Sequence, residues 1–104
     1  MRKGVLEMCT LAILKKGDAY SNEVIETLRK GNMIVVEGTL YPMLNRLKKM
    51  ELLTYRWEES KSGPPRKYYS ITSKGEQVYL EMLQNWDEMI ESVNQIIRSK
   101  TNKP

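Results

Sequence analysis

The side chains in this chain that could act on another molecule are cations, hydroxyls and amides gathered between residues 39 and 67. Thr39, Tyr41, Asn45, Arg46, Lys48 and Lys49 fall close together, and Lys61, Arg66 and Lys67 follow in a Gly- and Pro-marked segment. Asn and Arg make paired hydrogen bonds to base edges, while Lys, Thr and Tyr bond phosphate oxygens, so the set suits the reading of a nucleic-acid duplex. It does not suit bond-making chemistry. The chain has no histidine and one cysteine, Cys9, which removes Ser–His and Cys–His nucleophile pairs, the commonest general base and a zinc site. The glycines are scattered singly, so there is no phosphate-cradling loop. With no convergent carboxylate pair either, neither an enzyme nor a cofactor is expected.

The formal charge is +4, and its distribution is more informative than its size. Residues 1–72 carry 13 Lys and Arg against 8 Asp and Glu, whereas residues 73–104 carry 4 against 5. The basic surplus therefore lies with the recognition set, as a polyanion partner requires; a merely solvated basic surface would give the same count. Hydrophobic residues make up 40%, enough for one modest core. No apolar run approaches the roughly 20 residues of a membrane span. Glu7 interrupts the N-terminus too early for a secretory core, and a lone cysteine fits a reducing compartment. A cytoplasmic protein without membrane contact is expected.

The elements that must position these groups follow from periodicity. Residues 4–16 are apolar nearly all round (Val5, Leu6, Met8, Cys9, Leu11, Ala12, Ile13, Leu14), which predicts a buried helix in which Cys9 is a small core residue. Gly17 stops it. A second helix is expected over 20–30, capped by Asp18 or Ser21 and ended at Gly31-Asn32. After a short extended piece at 33–36, a third helix is expected over 39–50, with Thr39 as its cap and Pro42 in its first turn. Leu40, Leu44 and Leu47 give it an apolar back, leaving Tyr41, Asn45, Arg46, Lys48 and Lys49 in front. Alternation over 53–58 predicts a strand with Leu53, Tyr55 and Trp57 on its inner face. A polar loop over 59–65 and a return strand over 66–72 complete a hairpin. Three helices and a two-stranded wing make a mainly α (α+β) winged helix-turn-helix over residues 1–72, an architecture that serves DNA and, in some proteins, only protein partners.

Residues 73–104 supply one long helix and a frayed polar tail from Lys100. Ser73 and Glu76 have capping-box spacing. Tyr79-Trp86-Val93, Met82-Met89-Ile96 and Leu83-Ile90-Ile97 each repeat every seven residues, giving a stripe wider than a two-stranded seam. One flank should pack on the first helix and the other on a second copy, so Tyr79, Leu83, Ile90, Val93, Ile96 and Ile97 are candidates for a homodimer interface. Trp86 lies midway, where two indoles could stack on a planar aromatic guest between Met82 and Met89, or could simply fill the dimer core. Asp87 and Glu88 stand nearby as possible attractants for a cationic guest.

Four segments, in order, resemble one known family. Asp18-Ala19-Tyr20-Ser21, the run Glu37 to Leu47, Gly63-Pro64-Pro65-Arg66-Lys67-Tyr68-Tyr69 and Ile71-Thr72-Ser73-Lys74-Gly75 are similar to the signatures of PadR-type transcriptional regulators. The resemblance spans essentially the whole chain and is closest to the compact subfamily with a single C-terminal helix. It implies a homodimeric repressor on a roughly palindromic operator, with effectors that are small and often aromatic, such as phenolic acids or planar multidrug compounds. Ser21 stands where many members have Gly, and Pro64-Pro65 stands where Gly-Pro or Gly-Arg is frequent, a change that stiffens the wing tip. On this reading Tyr41, Asn45 and Arg46 contact bases, Thr39 bonds a phosphate, and Lys48 and Lys49 are phosphate partners. Arg66, Lys67 and Lys61 reach from the wing, and Tyr20 bonds a phosphate at the entry to the second helix. The competing reading is an interaction module without DNA, in which Tyr41 packs under the wing and Arg46 pairs with Glu51.

Overall fold

A computed structural model describes residues 2–99; Met1 and the expected tail from Lys100 lie outside the described residues. The order is α1 (Arg2–Lys16), β1 (Ala19–Tyr20), α2 (Ser21–Lys30), α3 (Glu37–Lys49), β2 (Leu53–Ser60), β3 (Gly63–Ile71) and α4 (Ser73–Ile97). The core is made where α1, α2 and α3 meet the strand bases. Leu11, Leu14, Val24, Leu40, Leu44, Leu47, Leu52 and Leu53 are all but inaccessible there. Thr10, fully buried, is satisfied by donating to the Leu6 carbonyl at 2.8 Å, which removes the cost of an unpaired hydroxyl. Cys9 is half-buried against this core, and burial raises its thiol pKa.

Several expectations needed correction. The hairpin extends a sheet of order β1-β3-β2, with Ala19 and Tyr20 paired to Tyr69 and Tyr68. Two residues carry too little periodicity to announce a strand. The wing closes through a turn at Lys61-Ser62, between paired Ser60 and Gly63, rather than through a long loop. Pro64 and Pro65 stand opposite Glu59 at the register shift: two residues without an amide N–H occupy a bulge, where none is needed for the ladder.

The helix caps differ as well. α2 starts after Tyr20, whose N–H donates to the Glu23 carboxylate at 2.9 Å; Asp18 is drawn instead to Arg56. α2 and α3 both end on a left-handed non-glycine residue, Asn32 at φ 66° and Glu51 at φ 63°. The following amides return to Leu28 and Leu47, which satisfies exposed carbonyls. α4 is capped by Thr72, not Ser73. The Thr72 hydroxyl accepts from the Gly75 N–H at 2.9 Å and donates to the Glu51 carbonyl at 2.7 Å. Glu76 is thereby free to pair with Lys15 of α1 at 3.4 Å. Gly75 is obligatory, because a Cβ there would lie 1.9 Å from the Leu52 carbonyl oxygen.

α3 begins two residues earlier than expected, at Glu37, with Val36 as its N-cap. Pro42 consequently lies inside the helix, where it forfeits the bond to the Gly38 carbonyl and costs about 3 kcal/mol relative to Ala. Gly38 adds about 1 kcal/mol, although its φ is not positive and a Cβ there would meet nothing within 4 Å.

Candidate nucleic-acid interface

The burial of Leu40, Met43, Leu44 and Leu47 fixes how α3 is rotated. At about 100° per residue, the row facing away from the core is Gly38, Pro42, Asn45 and Lys49, and all four are exposed. Tyr41 and Lys48 lie on the flank toward the wing. The Tyr41 hydroxyl is 3.3 Å from that of Ser21 at the start of α2, and Lys48 Nζ is 5.4 Å from the centre of the Tyr55 ring. Tyr41 is exposed rather than packed under the wing. Thr39 and Arg46 lie on the opposite flank. Arg46 pairs with Glu7 of α1, not with Glu51; its Nε and Nη2 reach the same carboxylate oxygen at 3.1 and 2.9 Å. Two of its nitrogens are thus engaged within the protein.

The wing returns toward α2 and α3 with its cations held on aromatic rings. The Arg66 guanidinium lies 3.9 Å from the Tyr20 ring centre and donates to the Asn22 side-chain carbonyl at 3.2 Å. Tyr20 and Tyr68 are 4.6 Å apart, and Arg56 lies 4.7 Å beyond Tyr68. Arg56 is in turn held by Glu58 at 2.8 Å and Asp18 at 3.2 Å, hydrogen bonds that raise its pKa further. The result is a column, Arg66–Tyr20–Tyr68–Arg56, alternating cation and ring at its ends. On the other face of β3, Lys67 lies over Tyr55 at 4.5 Å and Trp57 at 5.7 Å. Trp57, expected in the wing core, is 61% exposed. The alternation put it on the Tyr55 face correctly, but the wing outruns the helices beneath it. Tyr69 is the tyrosine of β3 that enters the core, and burial raises its pKa; Tyr68 is half-buried in the column.

Tyr20, Tyr41, Asn45, Arg66 and Lys67 therefore border one cleft of about 320 Å³, together with Ser21, Asn22, Trp57 and Tyr69. Thr39 and Arg46 are not on it, nor is Lys48, which lies by the Tyr55 ring; Lys49 continues the outward row of α3, and Lys61 is at the hairpin turn. Ser21, Asn22 and Trp57 were missed from the sequence as site residues. Only the position of Ser21 and Asn22 at a helix start could have signalled them.

A second concavity, about 240 Å³, lies between α1 and α4 and is lined by Gly4, Val5, Met8, Met82, Asn85, Trp86 and Met89. Tyr79 and Met82 lean onto the chain's own core. Beyond them α4 leaves Ile90, Val93, Ile96 and Ile97 in solvent, the last two at 72% and 62% exposure. Leu80, absent from the heptad rows, is exposed as well. Leu83 and Trp86 are half-buried. Among the described residues, no helix is long and apolar enough to cross a membrane, and no group of His, Cys, Asp and Glu is placed to hold a metal ion.

Residues 10–81 match the model of the Transcriptional regulator PadR-like family. The chain is similar to the crystal structure of a PadR-like transcription factor from Bacteroides fragilis at 52% identity and a TM-score of 0.83, over 92% of this chain and 93% of that one. A PadR-like transcriptional regulator from Bacillus cereus aligns at 37% identity and TM-score 0.83, over 96% and 98%. A PadR family regulator from Eggerthella lenta aligns at 32% and 0.85, over 97% and 87%. An uncharacterised protein of Lysinibacillus sphaericus is 30% identical over 95 residues, which is 88% of this chain and 87% of its own.

Proposed function

Because the chain belongs to the PadR-like family of transcriptional regulators, a winged-helix family whose membership implies DNA-binding regulation, we propose that it is a cytoplasmic homodimeric repressor of the compact subfamily that binds a palindromic operator. The observation that carries this reading is the meeting of the α3 front, the start of α2 and the wing cations at one basic cleft. Residues 1–72 form the DNA-binding unit and residues 73–104 the dimerisation element. Asn45 and, from the flank, Tyr41 face base edges, Lys49 continues the Asn45 row toward the backbone, and the Ser21 hydroxyl bonds phosphate. Arg66 and Lys67 reach the flanking phosphates or minor groove, with Lys61 further out. Thr39 meets phosphate at the start of α3, and Arg46 serves chiefly to tie α3 to α1 through Glu7. In the dimer the exposed α4 rows pair, and the α1–α4 cleft at Trp86, Met82 and Met89 receives a planar aromatic effector. Such a guest would act by changing the angle between the two wings.

The test is fluorescence anisotropy on the duplex upstream of the protein's own gene and on a scrambled duplex, between about 50 and about 300 mM salt. A steep fall of log K with log salt on the specific duplex is expected. Asn45→Ala and Tyr41→Ala should each lose about tenfold to a hundredfold in affinity, with the dimer intact by sedimentation. Equal and salt-insensitive behaviour on both duplexes would favour a protein-docking module.

A further inference from the structure

α3 carries two residues on its outward row that its own fold does not require. Gly38 has an ordinary backbone conformation and open space where a Cβ would go. Pro42 is exposed and sits mid-helix, so it neither fills the core nor occupies a first turn that would excuse its missing N–H. Each weakens the helix on which it sits. Costs of this kind on a solvent-facing row are characteristic of sites shaped for something other than the fold.

The two share a row with Asn45 and Lys49, so Gly38 makes the start of that row shallow and Pro42 makes its middle apolar and donor-free. Pro42 also borders the mouth of a concavity of about 620 Å³ lined by Leu6, Ile34, Val36, Thr39, Met43 and Arg46. Val36 there is 56% exposed. Between the exposed Thr39 and Tyr41 on its flanks, the Gly38–Pro42 stretch of the outward row thus presents carbon to its partner, whereas a row that met only phosphates would present donors. In the major groove the apolar feature of a base edge is the C5-methyl group of thymine.

Building on the DNA-binding reading above, we propose that Pro42, brought close by the missing side chain of Gly38, reads a thymine methyl in each half-site. Asn45, one turn on, reads its neighbour through hydrogen bonds. The operator specificity of this chain then has an apolar component centred on residue 42.

The experiment uses the full-length protein and a duplex selected by it from a randomised pool. Each thymine is replaced in turn by deoxyuridine, which removes one methyl group and keeps every hydrogen bond. One position per half-site should lose about fivefold in affinity or more, and this loss should vanish in Pro42→Ser. Gly38→Ala and Pro42→Ser should both raise the melting temperature while weakening operator binding about tenfold, a combination that a structural role for either residue cannot produce. Uniform tolerance of deoxyuridine, or a methyl effect that survives in Pro42→Ser, would overturn the proposal while leaving the DNA-binding reading standing. A lower melting temperature for Pro42→Ser would do the same. Failure to select any duplex would remove both.

Discussion

Single residues in this protein divide between those that hold the fold and those that face a partner, and burial sorts them more sharply than residue type does. Arg46 and Arg66 are both arginines beside α3, yet one is tied to Glu7 and the other rests on Tyr20 beside the open cleft. Among the described residues, burial pushes the Tyr69 phenol and the Cys9 thiol upward, above ordinary values of 10.0 and 9.0. The folded state therefore keeps both protons longer than the unfolded chain. Their contribution to stability is complete below those ordinary values and is lost as pH rises through the raised ones. Urea unfolding should give a constant stability between about pH 6 and 8 and a decline above about pH 9, where free thiols and then phenols begin to ionise. Stability that rose across that alkaline range would contradict the burial of both groups.

The elements are joined by a few contacts that fix their angles, and two of these can be tested separately. α4 leaves the sheet over the Leu52 carbonyl, with Thr72 as cap and Gly75 at the point of closest approach. Gly75→Ala must displace one backbone against another, so a loss of about 1–3 kcal/mol or more is expected by thermal or urea unfolding. The wing is held over α2 by the Arg66–Tyr20–Tyr68–Arg56 column, anchored at its far end by Asp18 and Glu58. Those outer ion pairs are largely exposed and contribute little to stability. Arg56→Gln should leave the melting temperature nearly unchanged and yet weaken operator binding several-fold, because the wing cations lose their common register. An unaltered affinity would show that the column is ornamental to recognition.

At the scale of the whole molecule, α4 extends well past the core that supports it, with principal extents of 66 × 26 × 21 Å for the chain. Its exposed rows at Ile90, Val93, Ile96 and Ile97 form a patch that a soluble monomer would not ordinarily leave in water. Ile96→Asp with Ile97→Asp should convert a dimer to a monomer in sedimentation while leaving helical content and the winged domain's melting intact, since neither side chain touches that core. Operator affinity should fall far more than for any single base contact, because two half-sites are no longer bound together. A variant that stayed dimeric would place the interface elsewhere.

The sequence by itself determined what local periodicity and residue chemistry can encode. The apolar backs of α1 and α3, the wing alternation, the heptad rows of α4 and the basic bias of residues 1–72 were all legible, and of the candidate site residues Tyr20, Tyr41, Asn45, Arg66 and Lys67 come to one cleft. What tertiary structure decided was which of several capable partners each group took. Glu7 lies 39 positions from Arg46, and no spacing rule reaches that far. Asp18 was a credible cap for α2 until Arg56, 38 positions away, offered it a charge. Thr72 took the place of Ser73 as the α4 cap, its hydroxyl also bonding the Glu51 carbonyl 21 positions back. Trp57 kept its predicted face but lost its predicted burial, since period-two alternation fixes the side of a sheet and not whether anything covers it.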